Sequence, residues 1–294
     1  MTRGQTELQQ SLKRIIIKRF SQTSIAPCGR PKRWYYKGKH NIPMVLEKHA
    51  VMNEQVIPIH ERLAANLAQV HSSIERAAQH SGRSPQEITL IAVSKTVSLE
   101  AVKIAYNLGV TDFGENRVQD ALPKIAEFHP QDMRWHMIGH LQSNKASKVV
   151  GAFDSVQSVD NLHLAQVLNR HAEELGKRLP VLLQVNVAGE ESKEGMSPAE
   201  APVLARQIAA LPALEVQGLM TIAPLVEDPE EVRMVFRGLR DLRERLRQEL
   251  PDCGWQHLSM GMTDDYRVAI EEGATIVRIG RAIFGERIYK GVSQ

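Results

Sequence analysis

Aromatic residues make up only 5% of this 294-residue chain, and it holds just two cysteines, Cys28 and Cys253. Two thiols so far apart form neither a disulfide framework nor a metal-type spacing, which points to a reducing compartment, the cytoplasm. No apolar run approaches the roughly 18 residues of a membrane span, so a transmembrane helix is excluded. Glycine is missing where a dinucleotide-binding open sheet needs it: the stretch "VSKTVSLEA" has none. No cluster of His, Cys or carboxylates suggests a metal.

Acidic residues are scarce at one end. Residues 1–52 hold 11 Lys and Arg against Glu7 and Glu47 alone, which leaves 26 basic and 32 acidic residues elsewhere. The net charge of +3 therefore belongs to the arm, and the remainder is mildly acidic, against a nucleic-acid surface. The arm carries only a three-residue apolar run, so it is no secretory signal. It reads as a disordered or non-native extension ahead of a start at Met44 or Met52, with organelle targeting second and a nucleic-acid tail third.

Beyond the arm the pattern is regular. Ile59, Leu63, Leu67, Val70, Ile74 and Ala77 recur at helical spacing and stop at Gly82, predicting a helix ahead of everything else. Strand-like runs then fall at 89–95, 112–116, 134–139, 154–158, 179–187, 214–222, 255–261 and 275–280, each but the last followed by a clear helical stretch. Apolar strands without alternation, separated by helices, predict a parallel sheet buried on both faces. Eight units in about 240 residues match a single (β/α)8 barrel, an α/β fold spanning residues 53–294 behind its extra N-terminal helix.

In such a barrel the chemistry sits where strands end. Those ends supply Lys95, Asn116, Gly139 and His140, Ser158, Asn186, Met220 and Thr221, Ser259 to Gly261, and Arg278 to Gly280. Ser259, Gly261, Gly280 and the amides at Arg281 and Ala282 lie in the loops after the last two strands. There, backbone amides and a hydroxyl suit a phosphate, though the glycines equally permit tight turns. Arg278 lies between Val277 and Ile279 in a strand that is buried; it either pairs with a carboxylate in the wall or meets a ligand. His136 reads as a hydrogen-bonded interior residue. The run Arg240–Arg247, with Asp241 and Glu244, reads as i,i+4 pairs on a surface helix.

Lys95 ends the apolar run Leu90–Val93. A lysine there usually snorkels to water. Inside a barrel mouth, beside a phosphate cradle and Arg278, its amine is expected to lose its proton more readily and to form a Schiff base with an aldehyde. A phosphorylated aldehyde describes pyridoxal 5′-phosphate. Arg278 would then face the ring nitrogen, Asn116 the ring or its hydroxyl, and Met220 a ring face.

The stretches "IAVSKTVSLEAV", "DFGENRVQDALPK", "RWHMIGHLQSNK", "LLQVNVAGEESKEGM", "VQGLMTIAP" and "HLSMGMTDDYRVAIEEGATIVRIGRAIFG" carry a family resemblance. In order, over residues 59–285, the chain resembles the pyridoxal phosphate homeostasis proteins, also called proline synthetase co-transcribed homologues. The resemblance implies a barrel like the N-terminal domain of alanine racemase, with the cofactor held through Lys95 and no established turnover. It implies other B6 vitamers as ligands, apo-enzymes that need the cofactor as partners, and a monomer.

The alternative is a small amino-acid racemase using the same lysine. Racemisation needs acid–base groups on both faces of the ring. In the alanine racemases that the barrel resembles, the second is a tyrosine from a partner's extra domain. Here only nine residues follow Gly285, and the tyrosines after the arm are Tyr106, Tyr266 and Tyr289. The expectation is therefore binding without catalysis.

Overall fold

The computed structural model describes residues 58–190 and 193–286. The basic arm 1–52, and Tyr289, lie outside the described residues. Eight strands close into a parallel barrel in chain order: β1 (Thr89–Val93), β2 (Asp112–Glu115), β3 (Arg134–Met137), β4 (Ser155–Val159), β5 (Leu179–Gln184), β6 (Leu214–Met220), β7 (His257–Ser259) and β8 (Ile276–Ile279). The last strand pairs back onto the first, with Arg278 beside Ile91. Around them run α2 (Leu99–Asn107), α3 (Val118–Glu127), α4 (Ala146–Ala152), α5 (Leu162–Glu174), α6 (Ala201–Ala209), α7 (Arg233–Glu249) and α8 (Tyr266–Glu271). Helix α1 (Ile59–His80) precedes them all.

The fold is the expected barrel with its extra helix. Most strands stop short of the expected ends, because the chain leaves the ladder to form the loops of the mouth. Among the unexpected short elements is a single turn, α9 (Arg281–Phe284), which follows β8. Four residues carry no period to read.

Alternation along each strand sorts the core into two layers. Ile91, Leu182, Met220 and Ile276 fill the barrel interior, while Ala92, Phe113, Trp135, Val156 and Leu183 join the larger layer between strands and helices. Helix α1 buries Leu63, Leu67, Val70, Ile74 and Ala77 along one stripe. Its Asn66 Nδ2 donates to the Ile283 carbonyl at 2.8 Å, tying the first helix to the last.

Two charge networks tie neighbouring elements together. At the N-terminal end of the barrel, Arg134 grips both oxygens of Asp112 at 2.7 Å, and His136 bonds to Asp112 at 2.9 Å and to Ser155 at 2.7 Å. His136 is thus an interior hydrogen-bonded residue. On the helical layer, Arg233, Arg237 and Arg240 of α7 converge on Glu272, which is buried just past α8. The sequence reading of Arg240 as part of a purely intrahelical surface run is corrected here. Spacing i, i+4, i+7 puts these arginines on one face, and the fold supplies a carboxylate from the next helix.

Candidate functional site

A cavity of about 740 Å³ opens at the C-terminal end of the barrel, between the ends of β1, β2, β6 and β8 and the first turns of α1. That size suits a small-molecule ligand. Lys95, Asn116, Arg278, Gly280 and Arg281 all line it. Five of the eight expected site residues, from three separate stretches of the sequence, are brought to one space.

Lys95 reaches the mouth because β1 keeps its register. Ile91 belongs to the interior layer and Val93 lines the cavity, whereas Ala92 packs outward. Ser94 is buried against Glu115 and helix α3, so Lys95 returns to the inner side. The turn that carries it is strained: Thr96 holds φ 64°, the only positive φ of a non-glycine among the described residues. A β-branched residue there is a genuine outlier, and such strain collects at functional sites.

Arg278 resolves its two alternatives partly in each direction. It is buried within the barrel, donating to Ser259 Oγ at 2.6 Å and to the Thr221 carbonyl at 2.8 Å. Its partners are neutral oxygens, and it also lines the cavity. Burial pushes its guanidinium down to about 10, against the pull of Asp265. Asp265 itself is pushed up by burial, although it accepts the Met262 amide at 2.5 Å.

Three expected residues stand one layer away from the cavity lining. Met220 is fully buried in the interior cluster beneath, and Ile222, two residues later on the same face, lines the cavity in its place. Ser259 spends its hydroxyl inside the barrel, donating to Gln157 at 2.7 Å while it accepts from Arg278. It orients Arg278 from below. Gly261 is the pivot that lets Met262, Thr263 and Asp264 reach the mouth. At φ 91° its hydrogen faces Ala269 and the Tyr266 backbone, where a Cβ would come within 2.6 and 2.8 Å.

Gly280 sits against Val93, where a Cβ would meet the Val93 carbonyl at 3.3 Å. Its own carbonyl accepts from Ile283 and Phe284, so the amides of Arg281 and Ala282 precede the bonded part of α9. The Arg281 side chain pairs with Asp264 and lies 3.8 Å from Glu286. Asn116 is wedged against Gly139, where a Cβ would lie 2.4 Å from the Asn116 carbonyl, and its Oδ1 is buried with no hydrogen-bond partner. An orphaned acceptor costs energy unless something arrives to satisfy it.

The remaining candidates bond to backbone carbonyls of the loops. Ser158 donates to the Gly139 carbonyl at 2.6 Å, and Asn186 bonds to the carbonyls of Glu190 and Lys193. Sequence reading missed Ile59, Arg62 and Leu63 of α1, which cover one side of the cavity. Ile59 and Leu63 belong to the apolar stripe, which also fits plain packing, and Arg62 carries no signal of its own. It also missed one grouping: His140 Nδ1 stands 3.7 Å from Asp160 and 3.6 Å from Glu194. The three come from separate loops, so no spacing announces them. Burial pushes the Asp160 carboxyl up.

The lining suits a phosphorylated aromatic aldehyde on several counts. It offers an amine, amides at the start of a turn beside a glycine, an orphaned acceptor, a buried guanidinium and the apolar side chain of Ile222.

Comparison with known proteins agrees with that chemistry. The model of the family "alanine racemase, N-terminal domain" matches residues 65–288. A pyridoxal phosphate homeostasis protein of Aquifex aeolicus is 44% identical over 223 residues, 76% of this chain and 97% of that one. Its Escherichia coli counterpart is 43% identical over 233 residues, 77% and 97% of the two chains. Among solved structures, PipY of Synechococcus elongatus with pyridoxal phosphate bound is 39% identical with a TM-score of 0.68, over 76% of this chain and all of that one. An alanine racemase of Clostridium difficile shares the fold at 15% identity and a TM-score of 0.61, over 78% of this chain and 61% of that one.

Proposed function

We propose that this chain, which belongs to the pyridoxal phosphate homeostasis protein family, binds pyridoxal 5′-phosphate in the cavity at the barrel mouth to hold, buffer or deliver it. The observation that carries this reading is the convergence of Lys95, Asn116, Arg278 and the Gly280–Arg281 turn on one space of suitable size. Bound there, the cofactor supplies a reactive aldehyde and an aromatic electron sink. Lys95 provides the amine that captures the aldehyde. The amides of Arg281 and Ala282 and the Arg281 side chain receive the phosphate, with Gly261 and Gly280 keeping the backbone close. Arg278, held by Ser259 and Thr221, would face the ring nitrogen and disfavour a proton there. Asn116 Oδ1 gains the partner it lacks. Ile222 takes the ring-face role expected of Met220, which supports the floor.

Binding without turnover is the second part of the reading. An arginine at the ring nitrogen weakens the ring's capacity to stabilise a carbanion. Racemisation also needs a second proton-transfer group opposite Lys95. Among the described residues no tyrosine lines the cavity: Tyr106 donates to Asp132 on the outside, and Tyr266 is buried in α8. The reading extends to other B6 vitamers as ligands and to apo-enzymes as recipients, for a monomer working in the cytoplasm.

The test is to load the protein with pyridoxal 5′-phosphate and supply common amino acids one at a time. No racemisation, decarboxylation or transamination is expected above the level of Lys95→Ala. Robust turnover that disappears in Lys95→Ala would establish the racemase-like alternative. Transfer to a cofactor-free enzyme, faster than from free solution, would favour delivery over storage.

A further inference from the structure

Behind the Lys95 turn lies a buried polar cluster that the cavity does not touch. Ser94 Oγ donates to Glu115 Oε1 at 2.7 Å. Lys124 Nζ, reaching in from α3, donates at 2.8 Å both to that oxygen and to the Ser94 carbonyl. The Glu115 side chain is wholly buried, and that of Lys124 nearly so. The same Ser94 carbonyl accepts from the Val97 amide at 3.0 Å, closing a turn with Lys95 and Thr96 at its two central positions. The second central position, where Thr96 holds φ 64°, is one that turns of this kind give to glycine.

We propose that Ser94, Glu115 and Lys124 form a clamp that holds this strained turn in place, making Glu115 and Lys124 positioning residues for the Lys95 amine. The inference rests on Lys95 being the attachment point for the cofactor. A buried ion pair is a poor way to gain stability, since desolvation cancels most of the attraction. Its value lies in geometry. The ammonium fixes the carbonyl at the start of the turn from the helix side while Val97 holds it from within. Strained backbone persists only where its surroundings over-determine it. Without the ammonium, the Ser94 carbonyl keeps a single partner, Thr96 relaxes toward ordinary backbone, and Lys95, next to it, loses its aim.

The clamp is tested with two ligands and two variants. Pyridoxine 5′-phosphate carries the ring and phosphate, but its alcohol cannot bond covalently to an amine. In the paired variant Lys124→Met/Glu115→Gln, which leaves no lone buried charge, affinity for pyridoxal 5′-phosphate should fall about tenfold while that for pyridoxine 5′-phosphate stays within about twofold. In the ligand-free paired variant the Val97 amide should exchange its hydrogen about tenfold faster. Ser94→Ala removes one hydroxyl, leaves the ion pair in place, and should move the same readings in the same direction by about threefold. Equal losses for both ligands, or unchanged aldehyde affinity and Val97 exchange, would overturn the clamp. If the paired variant does not fold, Ser94→Ala alone decides. A wild-type protein that takes no covalent adduct on Lys95 is a different failure, that of the site reading itself.

Discussion

Two glycines with similar backbone angles face different surroundings. Gly261→Ala meets both an unfavourable φ and the packed face of α8, so we expect a loss of about 3 kcal/mol, read as a lower melting temperature. Gly82→Ala shares the positive φ, at 68°, but its Cβ enters open space, so strain alone should cost about 1 kcal/mol. Equal losses in the two variants would show that the close approach at Gly261 does not matter. At this same scale, legibility in the sequence varies from residue to residue. Lys95 and Arg278 stand out because a charge inside an apolar strand demands an explanation, and both line the cavity. Met220, Ser259 and Gly261 are singled out on position, and position alone cannot tell the lining from the layer beneath it. In a tapering barrel a difference of two residues along a strand separates floor from wall, as Met220 and Ile222 show.

Elements are the most readable level. Seven of the strands are legible from the helix behind each, most of them also from an apolar run, and α1 from its stripe; the one-turn α9 has no pattern to give. Pairings between elements are another matter. Arg240 reads as part of a surface run because its acceptor, Glu272, which it shares with Arg233 and Arg237, lies more than thirty residues away. Burial pushes the Glu272 carboxyl up, but hydrogen bonds from Arg237 and Arg233 outweigh it and hold it below the ordinary glutamate value. Glu272→Gln leaves three guanidinium groups without their common anion. A loss of about 2 kcal/mol is expected, discounted for the partly exposed arginines, with cofactor affinity unchanged. Denaturant unfolding of the variant checks this; unchanged stability would mean that the network is only decorative.

On the scale of the whole molecule, a buried charge network and the proposed binding site lie at opposite ends of the barrel. The Asp112, Arg134 and His136 network closes the N-terminal end, remote from the mouth. Burial raises the Asp112 carboxyl, yet hydrogen bonds from His136 and Arg134 prevail and hold it well below the usual carboxylate range. Its folded value lies under its unfolded one, so the stabilisation is complete above about pH 4 and is lost as pH falls toward the folded value. His257 is held low by burial and by nearby His136, so the unfolded chain takes up that proton first. Stability should therefore begin to fall as pH drops through about 6.5, with a second loss below about 4. Asp112→Asn should cost about 3 kcal/mol at neutral pH and shrink the second loss, leaving cofactor affinity intact. Melting curves between pH 3 and 8 check both stages. Removal of residues 1–52, which carry no apolar period, is expected to leave melting temperature and cofactor affinity as they are.

One lysine, delivered by β1 to the barrel mouth, is proposed to hold the cofactor. The direct measurement is to load the protein with pyridoxal 5′-phosphate, reduce it with borohydride, and map the modified peptide by mass spectrometry. A single adduct on Lys95 is expected, absent from Lys95→Ala, which should still retain some cofactor through its phosphate. A stable adduct on any other lysine, or one that survives unchanged in Lys95→Ala, would contradict that assignment.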